Sequence, residues 1–257
     1  MSATSTDRRR GARPQPRRSP AGMAVQVVGE LLITAGILLV LFVVWQLWWT
    51  NIDSNRQQAD AVNGLVEQFE VPLETAPVPA GDREPQVTGP VAAGTTFGIV
   101  YIPRFGEDYA RPLTSGVGGD VLDNLGLGHY PDTAMPGAVG NVALAGHRQT
   151  HGQVLDAIHT LVPGDSIYIQ TAEGYYRYVY RNSEIVMPDR VDVIAPVPTR
   201  PQAEPVERLL TLTSCNPRFG SQERIIAYAA LDSWQPLQDG PPEEIADQVA
   251  RVAGRAG

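Results

Sequence analysis

The feature that most constrains this chain is an apolar run from Met23 to Thr50 whose single ionisable side chain is Glu30. About 25 apolar residues, at a helical rise of roughly 1.5 Å each, exceed the roughly 30 Å hydrocarbon thickness of a bilayer. Trp45, Trp48 and Trp49 gather at the far end of the run, where indole rings favour the headgroup interface. The run therefore predicts one transmembrane helix, and the rest of the chain must fold on either side of it.

A cleaved signal peptide is the alternative explanation of an apolar run near the amino terminus. The apolar region of a signal peptide is about 7–15 residues long and ends in small residues, whereas this run is longer and ends in tryptophans. Six arginines precede the run and the next arginine is Arg56, so the positive-inside rule keeps the amino terminus in the cytoplasm. The predicted location is the cytoplasmic membrane, crossed once, with the longer part of the chain outside.

The charge balance and the cysteine count narrow the function classes. The first 23 residues carry +5 and the whole chain −8, which leaves −13 for the remainder. An exported portion this acidic argues against a nucleic-acid partner. The chain has one cysteine, so it forms no internal disulfide, and a leftover thiol in an exported protein indicates intermolecular pairing or a reactive group.

Composition shifts divide the chain into five parts. Residues 51–70 are polar with sparse apolar positions and are compatible with a juxtamembrane helix, whereas five prolines within 71–95 favour an extended spacer. The predicted parts are a basic cytoplasmic tail (1–22), a transmembrane signal anchor (23–50), an extracytoplasmic proline-rich linker (51–95), a globular domain (96–236) and a carboxyl-terminal tail with a short helix (237–257).

Alternating apolar and polar residues dominate the globular part. Such segments, separated by Gly/Pro turns, are typical of an all-β sandwich or barrel, and helical patterns are confined to short segments near 118–126 and 153–161. The predicted strands are Phe97–Pro103, Asn141–His147, Asp165–Thr171, Tyr176–Arg181, Glu207–Cys215 and Arg224–Leu231.

Cys215 ends a predicted strand and is followed by the loop sequence "NPRFGSQ". A small buried hydrophobe is one interpretation of a lone cysteine. Display at a strand end is the other, because reacting groups concentrate on loops and a thiolate needs a base or cationic neighbours. Arg224 opens the next strand, so a hairpin would place its guanidinium beside Cys215, where it could stabilise an oxyanion; a surface arginine is the alternative.

Four histidines are candidates for the base. His147 follows the apolar strand "VALAG" and so lies at a strand end, whereas His129 and His159 fit structural positions. The spacing from His147 to His151 would suit zinc on a helix, but the segment is flanked by glycines and lacks the glutamate of a metalloprotease helix. The sequence therefore predicts His147 as the base, and neither a metal nor another cofactor.

Three motifs together resemble those of sortases, which are membrane-anchored cysteine transpeptidases of Gram-positive bacteria. They are "LAGHR" (Leu144–Arg148), "TLTSC" (Thr211–Cys215) and Arg224, in the same order along the chain. The stretch "LGLGHYPDTAMPGAVGNVALAGHR" (Leu125–Arg148) is similar to the class E sortases of actinobacteria. The resemblance covers residues 96–234 and departs from the usual T-L-x-T-C pattern at Ser214.

The resemblance implies an all-β fold, a closed eight-stranded sortase-type β-barrel with short helices, preceded by one amino-terminal transmembrane helix. It implies that Cys215 attacks the Thr–Gly bond of a Leu-Ala-x-Thr-Gly or Leu-Pro-x-Thr-Gly sorting signal and forms a thioacyl-enzyme. His147 would be the acid and base, and Arg224 would hold the substrate and its oxyanion. Tyr130, Thr213 and Ser214 are predicted to contact the substrate, with Tyr130 filling the space that proline would occupy.

The implied partners are exported proteins that carry sorting signals, an amine of a lipid II-like cell-wall precursor, and the cytoplasmic membrane. Two alternatives stay open from the sequence alone. A specialised or pilin-polymerising sortase would use a lysine of a protein as the acceptor. A non-catalytic anchored β-barrel that serves as a binding module would keep its cysteine unreactive.

Overall fold

The computed structural model of the protein describes residues 19–69 and 83–256. The prediction of a basic tail falls mainly on residues 1–18, and that of a proline-rich spacer largely on residues 70–82. Both of these segments lie outside the described residues.

Within the described residues, eight strands close into one barrel. They are β1 (Thr96–Tyr101), β2 (Ala110–Ser115), β3 (Leu127–His129), β4 (Gly140–Ala145), β5 (Ser166–Gln170), β6 (Gly174–Val186), β7 (Arg208–Asn216) and β8 (Glu223–Pro236). Their order around the barrel is β1–β2–β3–β4–β7–β8–β6–β5. Two pairs, β2–β3 and β4–β7, are parallel and the others are antiparallel. The predicted closed, eight-stranded all-β barrel is confirmed.

The described residues contain three α-helices: α1 (Pro20–Phe69), α2 (Gly119–Leu122) and α3 (Ala246–Ala256). The chain divides into two compact units inside α1, after Gln46. In the first unit the large apolar side chains of α1 are exposed. Among the described helices, α1 is the one long and apolar enough to cross a membrane.

The second unit begins at Leu47, well before the boundary at residue 96 that the sequence indicated. The reason is an apolar stripe on the later part of α1, with spacings of three and four residues that place its members on one helix face. This stripe consists of Val62, Leu65, Val66 and Phe69, all buried. It packs in one cluster with Ile99 and Tyr101 of β1 and with Val249 and Val252 of α3, so the carboxyl-terminal segment also belongs to the folded unit.

The strands β4, β7 and β8 show two different faces. Successive side chains of a strand point to opposite sides, and Leu210, Leu212 and Ile225 lie in the main core of the barrel. We call this side the inner face. The alternate residues of β7, which are Thr211, Thr213 and Cys215, therefore lie on the opposite, outer face.

Candidate active site

Cys215 and Arg224 face each other across the antiparallel pair β7–β8. Directly opposite residues of such a pair carry their side chains on the same face, with Cβ atoms about 4.5–5.5 Å apart. The side chain of Cys215 is partly exposed and belongs to the outer face. The thiol is therefore accessible and has a guanidinium-bearing residue as its cross-strand neighbour, which is the arrangement that the hairpin prediction required.

His147 reaches the same edge of the barrel from β4. The parallel pair β4–β7 is in register up to Ala145 opposite Thr213, and the backbone N–H of Gly146 still donates to the carbonyl of Thr213 at 3.1 Å. Continuing this register by two residues brings His147 level with Cys215. The three predicted residues thus gather at neighbouring ends of β4, β7 and β8.

Asp123, immediately after α2, is a further residue of the site. Its Oδ1 lies 2.6 Å from Nε2 of His147, and its carbonyl oxygen lies 3.2 Å from Nδ1 of His151. The two imidazole rings are 5.0 Å apart between centroids. Sequence analysis missed Asp123, because nothing in "GDVLDNL" distinguishes it from its neighbour Asp120.

These three residues also have the composition of a metal site. One ligand-type atom from each of Asp123, His147 and His151 lies within 4.8 Å of the others. The 2.6 Å separation between Asp123 and His147 is shorter than the about 3.3 Å that tetrahedral zinc geometry sets between two ligands. It matches a charge-assisted hydrogen bond instead, so the absence of a metal stays our prediction.

Arg148 ties the segment after β4 to the end of β7. One of its guanidinium nitrogens, Nη1, donates to the carbonyl of Cys215 at 3.2 Å and to Oδ1 of Asn216. Its side chain is buried, and this burial lowers the pKa of the guanidinium. Arg148 thereby fixes the backbone of the cysteine and adds positive charge near it; the sequence assigned it no role.

The guanidinium of Arg224 is held from one side. Its Nη1 donates to the carbonyls of Ser221 and Glu223, both at 2.8 Å. Its Nε and Nη2 make no hydrogen bond within the described part of the chain. Two donor groups are therefore left for a ligand on the outer face, as oxyanion stabilisation requires.

Tyr130 and Thr213 meet on the outer face next to this edge. The hydroxyl of Tyr130 lies 3.2 Å from Oγ1 of Thr213, which is itself 3.3 Å from the carbonyl of Leu144. Thr213 is two residues from Cys215 along β7, and Tyr130 is linked to Thr213, so both predicted substrate contacts lie near Cys215.

Ser214 lies on the inner face. Its cross-strand partner is the core residue Ile225, and its hydroxyl donates to the carbonyl of Gly146 at 2.8 Å. The structure therefore places this side chain away from the side that a substrate would approach. Its hydroxyl instead holds the backbone that leads into His147.

The connection between β6 and β7 forms a wall over the outer face. A 3₁₀ turn, Val191–Ile194, packs its Val193 against Ile226 of β8. The side-chain amide of Asn141 in β4 donates to the carbonyl of Ala195 at 3.1 Å. The β6–β7 connection thus covers part of the outer face of β4, β7 and β8, where Thr211 and Ile226 are buried.

A large cleft of about 1080 Å³ lies elsewhere, along β6 and β8, and is lined in part by Tyr175, Arg177 and Trp234. It contains none of the three predicted catalytic residues. The chemistry of its lining shows no nucleophile paired with a base, so the site is assigned from the gathered side chains and not from cavity size.

Comparisons with known proteins give matches that agree with one another. A family model described as "Sortase domain" matches residues 100–232. Sortase SrtE1 of Streptomyces coelicolor is 35% identical over 246 residues, which is 91% of this chain and 65% of the relative, just under two thirds of its length. Sortase SrtE2 of the same organism is 31% identical over 249 residues, 89% of this chain and 92% of the relative. The structure of sortase E from Streptomyces avermitilis gives a TM-score of 0.55 at 38% identity, over 60% of this chain and 99% of that chain.

Proposed function

The chain belongs to the sortase family of cysteine transpeptidases, and we propose that it joins exported proteins to a cell-wall amine from the outer side of the cytoplasmic membrane. The sorting signal is of the Leu-Ala-x-Thr-Gly or Leu-Pro-x-Thr-Gly kind and is cleaved between Thr and Gly. The observation that supports this proposal is the strand register, which pairs Cys215 with Arg224 across β7–β8 and, continued past the end of β4, would bring His147 level with Cys215.

In the first half of the reaction the thiolate of Cys215 attacks the threonine carbonyl carbon and forms a tetrahedral oxyanion. The N–H groups of Arg224 that are left open on the outer face donate to this oxyanion. When the C–N bond breaks, the imidazolium of His147 gives its proton to the leaving glycine amine. The products are a thioester on Cys215 and a released peptide whose amino-terminal residue is the glycine.

In the second half an incoming amine attacks the thioester carbonyl. Neutral His147 accepts the proton that the amine loses, the C–S bond breaks, and the thiolate of Cys215 is restored. One amide has replaced another and no oxidant or reductant is consumed. The thioester must outlive attack by water, and the β6–β7 connection packed over the outer face favours this by limiting solvent access.

Tyr130 is our candidate for selecting alanine over proline at the second position of the signal. Its hydroxyl is bonded to Thr213, so the ring is fixed beside the outer face, two residues from Cys215. A fixed ring fills volume that the pyrrolidine of proline would otherwise use. This predicts a preference for the Leu-Ala signal.

The apolar part of α1 gives the proposal its location. Its exposed large side chains and its length and composition fit a membrane anchor. An enzyme held at the membrane meets exported substrates at a raised effective concentration.

Intact-mass spectrometry of the full chain in detergent tests the proposal. Incubation with a Leu-Ala-Glu-Thr-Gly peptide should add the acyl fragment ending in Thr to the wild-type mass, and the Cys215→Ala variant should gain nothing. Adding triglycine should release an exchanged peptide. Failure of the wild type to form either product with both Leu-Ala and Leu-Pro peptides would overturn the transpeptidase assignment.

The same assay decides the acceptor and the signal. Exchange onto Nα-acetyl-lysine instead of triglycine would favour the pilin-polymerising alternative. The Tyr130→Ala variant should narrow the difference in rate between Leu-Ala and Leu-Pro peptides. An unchanged ratio would remove Tyr130 from signal selection.

A further inference from the structure

Between residues 51 and 58, α1 carries buried polar side chains, whereas between Val62 and Phe69 it carries the buried apolar stripe described above. Asn51, Ser54 and Gln58 are spaced by three and four residues and therefore lie on one helix face. We call them the polar seam. Ser54 is 3% exposed and Gln58 is 1% exposed, which is a costly environment for polar groups unless they are hydrogen-bonded.

Each member of the seam binds backbone next to the catalytic histidine. The amide oxygen of Asn51 accepts the N–H of Gly152 at 3.0 Å, and the amide nitrogen of Gln58 donates to the carbonyl of His151 at 3.1 Å. The hydroxyl of Ser54 lies 2.8 Å from the carbonyl of Asp123. It lies equally close to the carbonyl of Thr50, so its single proton is shared between the two acceptors.

The loop that the seam holds has an unusual backbone. His151, Gly152 and Gln153 all have positive φ, at 52°, 86° and 53°, a region that residues other than glycine rarely adopt. Such strain persists only when the surroundings impose it. A Cβ on Gly152 would lie 2.7 Å from the Gln58 side-chain nitrogen, so the loop and the seam are in close contact at this position.

Asp123 connects these contacts to the imidazole. Its backbone carbonyl is bound by the seam and by His151, and its carboxylate is bound to Nε2 of His147. A carboxylate at one ring nitrogen keeps the proton on that nitrogen and leaves the other nitrogen unprotonated. Here the unprotonated atom would be Nδ1, and the same carboxylate favours the imidazolium that forms during turnover.

We propose that the polar seam and Asp123 are positioning residues for His147: the seam fixes Asp123 and the 151–153 loop, and Asp123 sets the tautomer and orientation of the imidazole. The inference rests on the proposed role of His147 in the transpeptidase reaction. It assigns to the membrane-proximal helix a direct part in assembling the active site, beyond that of a tether.

The seam is tested in the full chain with a matched pair of substitutions on neighbouring residues. Gln58→Ala removes the bond to the loop. Gln57→Ala removes a side chain whose bond is to Asp53 on the same helix. We expect Gln58→Ala to lower kcat for thioacyl-enzyme formation about 3- to 10-fold, as loss of one hydrogen bond does, with KM for the Leu-Ala-Glu-Thr-Gly peptide unchanged. Gln57→Ala should match the wild type.

The tautomer is tested by ¹⁵N NMR of the histidine rings at a pH where they are neutral. The chain has four histidines, and His147→Gln identifies the signals of the catalytic ring. Wild-type His147 should show protonated Nε2, and Asp123→Ala should shift it toward a mixture of tautomers while lowering kcat about 10- to 100-fold. Asp123→Glu should recover part of both.

The outcomes separate this inference from the proposed function. Equal rates for Gln58→Ala and Gln57→Ala, or an unchanged His147 spectrum in Asp123→Ala, would overturn the positioning role while leaving the transpeptidase intact. Full activity of His147→Gln would instead sink the proposed role of the histidine. Gln58 also accepts a hydrogen bond from Arg111, so Gln58→Ala could lower the thermal midpoint of unfolding. In that case Ser54→Ala repeats the measurement with a smaller change, because it leaves the bond between Arg111 and Gln58 in place.

Discussion

The two faces of β7 and β8 are built from alternate residues of the same strands, yet they differ in exposure at the end where Cys215 and Arg224 lie. On the inner face, Leu210, Leu212 and Ile225 are buried in the main core. On the outer face, Cys215 and Arg224 are partly exposed. A step of one residue along a strand therefore passes from a side chain that packs in the barrel core to one for which we propose a role in the reaction.

This contrast predicts that stability and activity are separable at neighbouring positions. Arg224 and Ile225 show it most directly, because they are consecutive in β8 and point to opposite faces. Three substitutions test how complete the separation is.

Arg224→Ala should have the largest effect and should act on activity alone. Removing one oxyanion donor is expected to lower the rate of thioacyl-enzyme formation about 10²- to 10³-fold. The free energy of unfolding should change by less than about 1 kcal/mol, because Arg224 is partly exposed and its bonds are to carbonyls within three residues along the chain. Peptide-dependent mass gain over time and urea unfolding give the two quantities. A rate within a few-fold of wild type would show that Arg224 takes no part in the reaction.

Ile225→Ala should show the opposite behaviour. Truncation of a buried isoleucine in the core lowers the free energy of unfolding by about 2–5 kcal/mol. The rate per folded molecule should stay near wild type, provided that it is measured well below the midpoint of unfolding. A drop in rate comparable with that of Arg224→Ala, in protein shown to be folded, would mean that the two faces are mechanically coupled.

Substitution of His129 should have the smallest effect. His129 is a polar side chain buried beside the apolar core of the barrel. It is buried beside the core residue Phe97, and this burial lowers the pKa of its imidazole below the usual 6.5, partly opposed by a hydrogen bond to the carbonyl of Ala134. The unfolded chain then takes up a proton more readily than the folded one. The stabilising contribution is complete above pH 6.5 and is lost as the pH falls through the folded-state value.

Urea unfolding at pH 8 and pH 5 measures this, with His129→Gln as the comparison. The wild type should lose more free energy of unfolding between the two pH values than the variant does. Parallel losses would show that His129 does not titrate differently in the folded protein.

Much of this arrangement follows from local sequence. The apolar alternation in "ERLLTLTSC" fixes which residues of β7 face inward, and the turn after Cys215 leads into the strand that begins near Arg224. His147 follows from the end of "VALAG". Each of these predictions requires only that a strand and its last residue be identified. Local alternation of apolar and polar residues, together with the turn residues that follow, identifies both.

The parts that sequence reasoning missed depend on contacts distant along the chain. Asp123 contacts His147 because α2 is placed there by the barrel, and Ser54 contacts Asp123 across 69 positions of the chain. The boundary at residue 96 came from counting prolines in the spacer, while the stripe from Val62 to Phe69 was too short to stand out as a core-facing helix. The residue pattern of one element does not predict which other element it packs against.

The parallel pairing of β4 with β7 has a consequence for how such proteins diversify. Each strand leads to one of the proposed reactive groups and then into a separate connection, 148–155 after β4 and 217–222 after β7. The 217–222 connection can be exchanged, lengthened or grafted from a relative without altering the strand register, whereas the 148–155 connection is constrained by the bonds of Arg148 and by the loop bound to α1. Substrate specificity can therefore change through the 217–222 connection while the register of β4 and β7 is kept.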